Sequence, residues 1–509
     1  MAHFYRIIFN NFLGNAPTWY KKIIIFFLIC NPILFLFSDF TAGWVVLVEF
    51  IFTLAMALQC YPLLPGGLLT IELFLLNKVS SEHVLHEIHT NLDVFLLLIF
   101  MVSGIYFMRN LLLFIFSFFL VKIESKIYLS ILFFLLSAIL SAFLDALTVI
   151  AVIISVAVSF YKIYTHVEEN TKNLFIYKRN ESISETRDFI EFQSFLCGLL
   201  MHCAIGTAVG GIFTKVGEPQ NLIIAEFANW DFIEFMLRTI PISSVCLILG
   251  LLTCITLERF KLFGYGQTLP TNIKNILSYS FLVQKKELSN DQKYFLIVQS
   301  ISAILLVIAL LLHLATVGLI GLAVIIFCTS FCGINKEHDI GIPFSESLPF
   351  VSLLVVFFCI VSMILDLNLF SPLIETALQF EGKSQAILFF VINGFLSMVS
   401  DNVFVGSVFI SELKQFLNNG AISQYDFELL AVIINVGTNI PSIATPNGQA
   451  ALLFLLTSPI APLIRLSYVK MMTMAFPYLI ILNLGCLYII QFEYLDIFTK
   501  FLYFHQWIQ

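Results

Sequence analysis

The sequence predicts an all-α polytopic membrane protein built from two repeats of inverted topology, each with a re-entrant helical hairpin and a discontinuous helix. Three observations predict it. The 509 residues are 59% hydrophobic and only 12% charged, where an ordinary soluble domain has roughly 25% charged residues. The charges are clumped, leaving apolar runs such as 94–120, 236–257 and 350–370, and a helix needs roughly 17 to 25 such residues to cross a bilayer. Two short motifs also recur, in the same order, in the two halves of the chain.

In chain order, membrane segments are expected near 23–37, 43–60, 63–77, 94–120, 128–160, 192–229, 236–257, 294–314, 315–333, 348–371, 385–413, 428–465 and 470–492. Arg6, Lys21 and Lys22 precede the first run and no small-residue cleavage site follows it, so it reads as an uncleaved first span. The segments 128–160, 385–413 and 428–465 exceed one crossing and carry polar, Pro or Gly interruptions near their middles. They read as hairpins or broken helices. The expected organisation is an N-terminal tail and first span (1–42), repeat one (43–257), a cytoplasmic linker (258–293), repeat two (294–492) and a C-terminal tail (493–509).

Positive charge orients these segments, because cytoplasmic loops carry the excess of Lys and Arg. The loop 258–293 holds Arg259, Lys261, Lys274, Lys285, Lys286 and Lys293, and 162–191 holds Lys162, Lys172, Lys178, Arg179 and Arg187. Both are expected to be cytoplasmic. Lys122 and Lys126 make the leading flank of 128–160 basic as well, which suits a hairpin entering from that side. The flanks of 385–413 contribute only Lys383 and Lys414, which fits a second hairpin entering from the opposite face.

The repeat itself is legible. LSAFLDALTV (140–149) aligns without gaps on LSMVSDNVFV (396–405), and GTAVGGIFTKVG (206–217) on GTNIPSIATPNG (437–448). The first pair of motifs lies farther apart by about the length of the charged stretch 162–191, which therefore reads as a surface insertion in repeat one. Paired repeats of opposite topology with broken hydrophobic segments point to a secondary transporter with its site near the midplane.

A carboxylate at the bilayer centre costs about 2.5 to 3.5 kcal/mol on insertion scales and is a functional candidate by default. Asp145 lies in the apolar run 127–161, with Ser141 and Thr148 about one helical turn away on either side, where their hydroxyls could complete an oxygen shell for a small hard cation. Asp401 is its repeat mate. With Ser400 and Asn402 it forms a polar tripeptide suited either to capping a half-helix or to ligating an ion. The second motif pair places Gly217, Glu218, Pro219, Gln220 and Asn221 in one half and Thr445, Pro446, Asn447 and Gly448 in the other. Such stretches cannot stay helical, and their freed carbonyls are expected to serve as ion ligands. Glu218 is either a third buried carboxylate or the partner of Lys215. Glu49, Glu72, His202, His313 and Asp366 rank lower, since they lie outside the repeated motifs.

The remaining composition excludes more than it suggests. A net charge of −7 without a basic patch gives no case for nucleic acid, and the ten cysteines are scattered through apolar segments without CxxC spacing. They read as small buried hydrophobes.

Four stretches carry a family resemblance: FLGNAPTWYKK (12–22), EFIFTLAMALQCYPLLPGGLL (49–69), SAFLDALTVIAVIISVAVSFY (141–161) and VGEPQNLIIAE (216–226). Together they resemble the NhaB family. The resemblance implies a secondary active transporter, not an enzyme, in the bacterial inner membrane. It would exchange cytoplasmic Na+, with Li+ as second cation, for external protons in an electrogenic cycle. Asp145 matches the family's membrane-embedded aspartate implicated in sodium exchange, and Asp401 is the second Na+ candidate. No cofactor is expected; the implied partners are Na+, H+ and the lipid bilayer, with room for a homodimer.

Two rivals stay open. A sodium-coupled carboxylate or arsenite transporter would share the fold, but a carboxylate carrier would present Ser-Asn-Thr at both tips. Here the tips read Leu144-Asp145-Ala146 and Ser400-Asp401-Asn402. A proton-channel subunit of a respiratory complex would need buried lysines in long uninterrupted helices, and none is expected.

Overall fold

The structure is a computed structural model describing residues 2–144, 146–174, 187–271, 273–275, 278–279, 281 and 288–508; the side chains of 2–6, 163–174, 187 and 346 are not described. Asp145 and residues 175–186 of the insert 162–191 therefore lie outside the described residues. Among those described, every regular element is a helix, and nine helices are long and apolar enough to cross a membrane. A bent pair, Ser81–Thr90 with Leu92–Tyr106, makes up to ten.

The chain opens with α1 (Ala2–Asn11), α2 (Thr18–Phe35), α3 (Asp39–Ala55) and α4 (Leu63–Leu75). Ser38 caps α3, and Lys78 reaches back to Asp39 at 2.7 Å, so α3 and α4 run out and back from one side. After α5 (Ser81–Thr90) come α6 (Leu92–Leu96), a π-turn (Leu97–Met101), α7 (Val102–Tyr106) and α8 (Arg109–Lys122). The single segment expected at 94–120 is thus divided at Phe107–Met108. Gly318 and Gly321 of a later helix press against the backbone of Leu96 and Met101 beside the π-turn.

The first half then builds α9 (Lys126–Phe143), α10 (Ala146–Leu174), α11 (Arg187–Gly211), α12 (Pro219–Ala228) and α13 (Phe232–Phe260). The second half builds α14 (Asn290–Leu311), α15 (Val317–Phe331), α16 (Glu337–Asp366), α17 (Ser371–Leu378), α18 (Gly382–Val399), α19 (Asn402–Asn418) and α20 (Gln424–Asn439). A 3₁₀ turn (Pro441–Ala444), α21 (Ala450–Thr457), α22 (Ile460–Leu463), α23 (Tyr468–Gln491) and α24 (Tyr494–Phe504) complete the chain. The helix expected from 348 begins at Glu337 despite Pro343 and Pro349. The expected C-terminal tail contains α24, an ordered helix with buried Leu495, Thr499 and Leu502.

Burial identifies the centre. In α11 and in 424–444, 94% and 89% of the most apolar window is enclosed by protein, against 28% for α2 and for α14. Polar groups can be satisfied there only by other protein groups, since neither water nor lipid reaches them. Around this centre, α9 packs on α11 and α18 on α20. Across the halves, α12 packs on α19 and α21 on α10.

The interruptions read from sequence are present. The helix of 128–160 breaks at Leu144 (φ −126°, ψ 145°), and that of 385–413 at Ser400 (φ −110°, ψ 170°), both extended. The segment 192–229 breaks between Gly211 and Pro219, and 428–465 between Asn439 and Ala450.

Candidate functional site

The four breaks converge because side chains from one clamp the backbone of another. Thr214, in the turn after α11, donates its hydroxyl to the Ala142 carbonyl at the end of α9. Thr445, in the turn after α20, donates at 2.5 Å to the Met398 carbonyl at the end of α18. Close approach makes these clamps possible. A Cβ on Gly206 would lie 2.6 Å from the Phe134 carbonyl oxygen, and one on Gly437 would lie 3.3 Å from that of Phe390.

Asp145 itself lies outside the described residues, but its neighbours are placed. Ser141 is fully buried on α9 and its hydroxyl has no hydrogen-bond partner among the described residues. Thr148 is half-buried on α10. The helical spacing that put the two hydroxyls a turn either side of Asp145 does not hold, because Leu144 is extended and they belong to different helices.

At the second break Asp401 is the N-cap of α19. Its Oδ1 accepts from the backbone N–H of Val403 (2.9 Å) and of Phe404 (3.4 Å). The capping role considered from sequence is therefore real, and a helix N-terminus favours the negative charge it receives. Ser400 beside it is buried with an unpartnered hydroxyl. Asn402 donates to Gln449 Oε1 at 3.2 Å, and Gln449 donates to Glu218 Oε1 at 3.3 Å. One amide thus joins α19, the second broken segment and the first. Glu218 is 1% exposed, so its carboxylate belongs to this chain of amides. The charges acting on Lys215 are Glu226, Asp231 and Asp93, so the alternative Lys215–Glu218 pair is not formed.

A second run of amides closes the centre. Asn221 donates to the carbonyls of Gly211 (2.6 Å) and Thr214 (2.8 Å), and its Oδ1 accepts from Asn439 at 3.3 Å. Gln220 donates to Asn439 Oδ1 at 2.9 Å. Asn447 donates to the Ala55 carbonyl at 2.7 Å, bringing the α3–α4 turn to the second break. In that turn Tyr61 lies within the field of Asp401.

These bonds correct one expectation. The carbonyls freed at the breaks (Ala142, Gly211, Thr214, Met398) are each taken by a side-chain donor, as buried backbone oxygens must be. What remains open is side-chain oxygen. Among the described residues, Ser141 Oγ, Ser400 Oγ, Asn402 Oδ1 and Asn447 Oδ1 are buried without partners. Orphaned oxygens are rare in folded proteins. Here four fall within the set read from sequence, and two of them, Ser400 and Asn402, flank Asp401 in the chain. Oxygen donors of this kind suit a hard cation.

Sequence reasoning missed Gln449, Asn439 and Asn435. The signal was present, since Asn435 and Asn439 are one turn apart in an otherwise apolar helix; Asn439 donates to Asn435 Oδ1 at 3.0 Å.

Of the lower-ranked groups, Glu49, Glu72, His202 and Asp366 are held by neighbours, and His313 is exposed. Asn31 donates to Glu49 (2.8 Å) and Glu72 (2.9 Å), His202 lies between Glu258 (2.9 Å) and Tyr478 (2.7 Å), and His83 bonds Asp366 at 2.8 Å. No buried lysine was expected in long uninterrupted helices, yet buried lysines are present: Lys21, Lys126 and Lys215. Lys126 opens α9 in a buried position, 3.3 Å from Glu258. Glu258 also accepts from Ser130 and from the Gly266 backbone, so this is a fixed ion pair at a helix end.

The chain was then compared with known proteins. The family model described as bacterial Na+/H+ antiporter B (NhaB) matches residues 1–509. Proteins named Na(+)/H(+) antiporter NhaB are similar to it along their length. One from Shewanella halifaxensis is 54% identical over 503 residues, covering 98% of this chain and 95% of the relative. One from Klebsiella pneumoniae is 52% identical over 505 residues, covering 99% and 98%. One from Haemophilus ducreyi is 52% identical over 484 residues, covering 94% of each.

Proposed function

We propose a transport mechanism for this chain from one premise: it belongs to the NhaB family of bacterial Na+/H+ antiporters. It is accordingly a multi-pass membrane transporter and not an enzyme. The rival carboxylate and arsenite readings lose their ground. The inner membrane is the compartment proposed, with cytoplasmic Na+ leaving and external protons entering.

Cation and proton compete for the carboxyls at the two breaks, Asp145 and Asp401. Na+ replaces its water with the side-chain oxygens of Ser141 and Thr148 at one break and of Ser400 and Asn402 at the other. Glu218, Asn221, Thr445 and Asn447 hold the breaks in register. A proton on a carboxyl removes the charge that binds the cation, so the two occupants exclude each other, and each favours the conformation it binds better. A cycle that moves net charge is driven by the membrane potential at about 2.3 kcal/mol per charge per 100 mV. More than one carboxyl must therefore discharge per turnover.

The observation that carries this reading is the set of buried side-chain oxygens at the breaks that have no partner among the described residues. The repeat is supported separately. A shift of 256 takes α9, Leu144 and α10's start onto α18, Ser400 and α19's start, and a shift of 231 takes α12's start onto α21's. Under the same shifts the Thr214–Ala142 clamp becomes Thr445–Met398. The tight pair Gly210 against Ala138 becomes Pro441 against Gly394, where the larger residue has moved to the other helix. Complementary exchange of this kind is what two copies of one packing solution produce. The two halves then form inverted repeats with hairpins entering from opposite faces.

The test is Asp145→Asn in everted vesicles, where added Na+ drives proton release from the lumen. Loss of exchange in a normally folded variant is expected, and wild-type exchange would sink the reading. Ser141→Ala should weaken sodium affinity more than maximal rate.

A further inference from the structure

A cavity of about 480 Å³ is lined by Phe40, Asn368, Ser371, Glu375, Gln415 and Asn419, among others. Asn368, Glu375 and Asn419 are exposed and form its mouth. Ser371 in its wall donates at 3.0 Å to Glu412 Oε2. Glu412 is 1% exposed, and its Oε1 has no partner among the described residues. A bare carboxylate oxygen withheld from water is costly. The transport site described above makes no use of it.

Position on the helix ties it to that site. Asp401, Val405, Val408 and Glu412 fall at i, i+4, i+7 and i+11, one face of α19. The two carboxyls are about 16 Å apart along the axis, at 1.5 Å per residue. Buried Val405 and Val408 separate them.

We propose that Glu412 loads the external proton: water in the cavity delivers a proton to Oε1 past Ser371, and the carboxyl passes it toward Asp401 when the face between them hydrates. The step forms one O–H bond on Oε1 and turns a hydronium ion into water. It rests on the sidedness of the proposed function, which puts this cavity outside the cell.

No other charge is bonded to Glu412. Glu375 on α17 lines the cavity, Asp366 at the end of α16 holds His83, and Lys414 donates to the Phe227 carbonyl. On α20 Glu428 is bonded by Arg238 and Tyr503, on α12 Glu226 lies in the field of Lys215, and Lys383 at the start of α18 is exposed.

The experiment varies luminal and outer pH separately in everted vesicles, whose lumen is the external face. Glu412→Gln keeps the volume and the bond from Ser371. It is expected to slow exchange about 100-fold or more with an alkaline lumen, the lower end of the roughly 10²- to 10⁴-fold range of a positioned proton donor. An acidic lumen should restore the rate, and the sodium constant on the outer face should stay unchanged. Glu412→Asp should retain most of the rate. If Glu412→Gln fails to reach the membrane, Gln415→Trp, which fills the cavity from its wall, should give the same luminal defect. Wild-type dependence on luminal pH would overturn the proposal, as would a shift confined to outer pH. Wild-type exchange in Asp145→Asn alongside the luminal defect would instead remove Asp145 from the cycle and leave this proposal standing.

Discussion

At Gly210 the helices α9 and α11 touch backbone to backbone, and Gly210→Ala exposes what that contact holds. A Cβ there would lie 2.0 Å from the Ala138 carbonyl oxygen and 2.5 Å from its Cα. These are backbone atoms, so no rotamer change relieves them. Since Cβ contacts below 3.0 Å essentially do not occur, the helices must part by about 1 Å (3.0 − 2.0). Ala138 is one turn before Ala142, whose carbonyl the Thr214 hydroxyl holds. Overpacking of this kind costs about 1–3 kcal/mol, and a misplacement of about 1 Å near a reacting site can cost about 100-fold in rate. Gly210→Ala should therefore insert, melt several degrees lower and exchange about 100-fold more slowly by sodium-driven dequenching of acridine orange. Gly341→Ala, where a Cβ meets nothing within 4 Å, is the control and should behave as wild type. A Gly210→Ala protein with normal rate and normal melting would refute the idea that this contact sets the first break.

Gln449→Leu takes one donor from Glu218 Oε1 and the acceptor from Asn402 Nδ2, and a buried polar atom left unmet costs about 1–3 kcal/mol; lower melting together with lost exchange is expected, and normal values for both would remove Gln449 from the site. Arg238→Met leaves Glu428, which pairs with Arg238 at 3.0 Å, buried beside Tyr503. Breaking such a pair from one side costs about 3–5 kcal/mol, so the loss of melting temperature should be among the largest in the chain while sodium affinity in the surviving protein is kept.

Much of this was legible because membrane helices advertise their interruptions. A Pro, Gly, amide or carboxylate in an apolar run has few physical excuses: the breaks at Ser400, 212–218 and 440–449 stand where such residues accumulate, and the break at Leu144 stands beside Asp145 in the sequence. Less legible were interactions between segments far apart in sequence. Nothing in the run around Gln449 says that it bridges Asn402 and Glu218, and nothing near Ala55 says that its carbonyl meets Asn447. Lys126 was misjudged because a lysine at the head of an apolar run usually faces water; its partner Glu258 lies 132 positions away in sequence and closes over it. The division at Phe107 had no Pro to mark it, only Arg109 just beyond, and the later helix that presses on Leu96 and Met101 before it lies more than 200 positions away in sequence.

The central claim is that cation and proton share one set of carboxyls, and it is tested most directly by the apparent sodium constant measured against pH in proteoliposomes, with and without Asp401→Asn. Competition predicts that the constant rises steadily as pH falls in the wild type, and that charge moved per turnover drops in the variant. A sodium constant that does not change with pH would contradict competition, and undiminished electrogenicity in Asp401→Asn would remove that residue from the cycle.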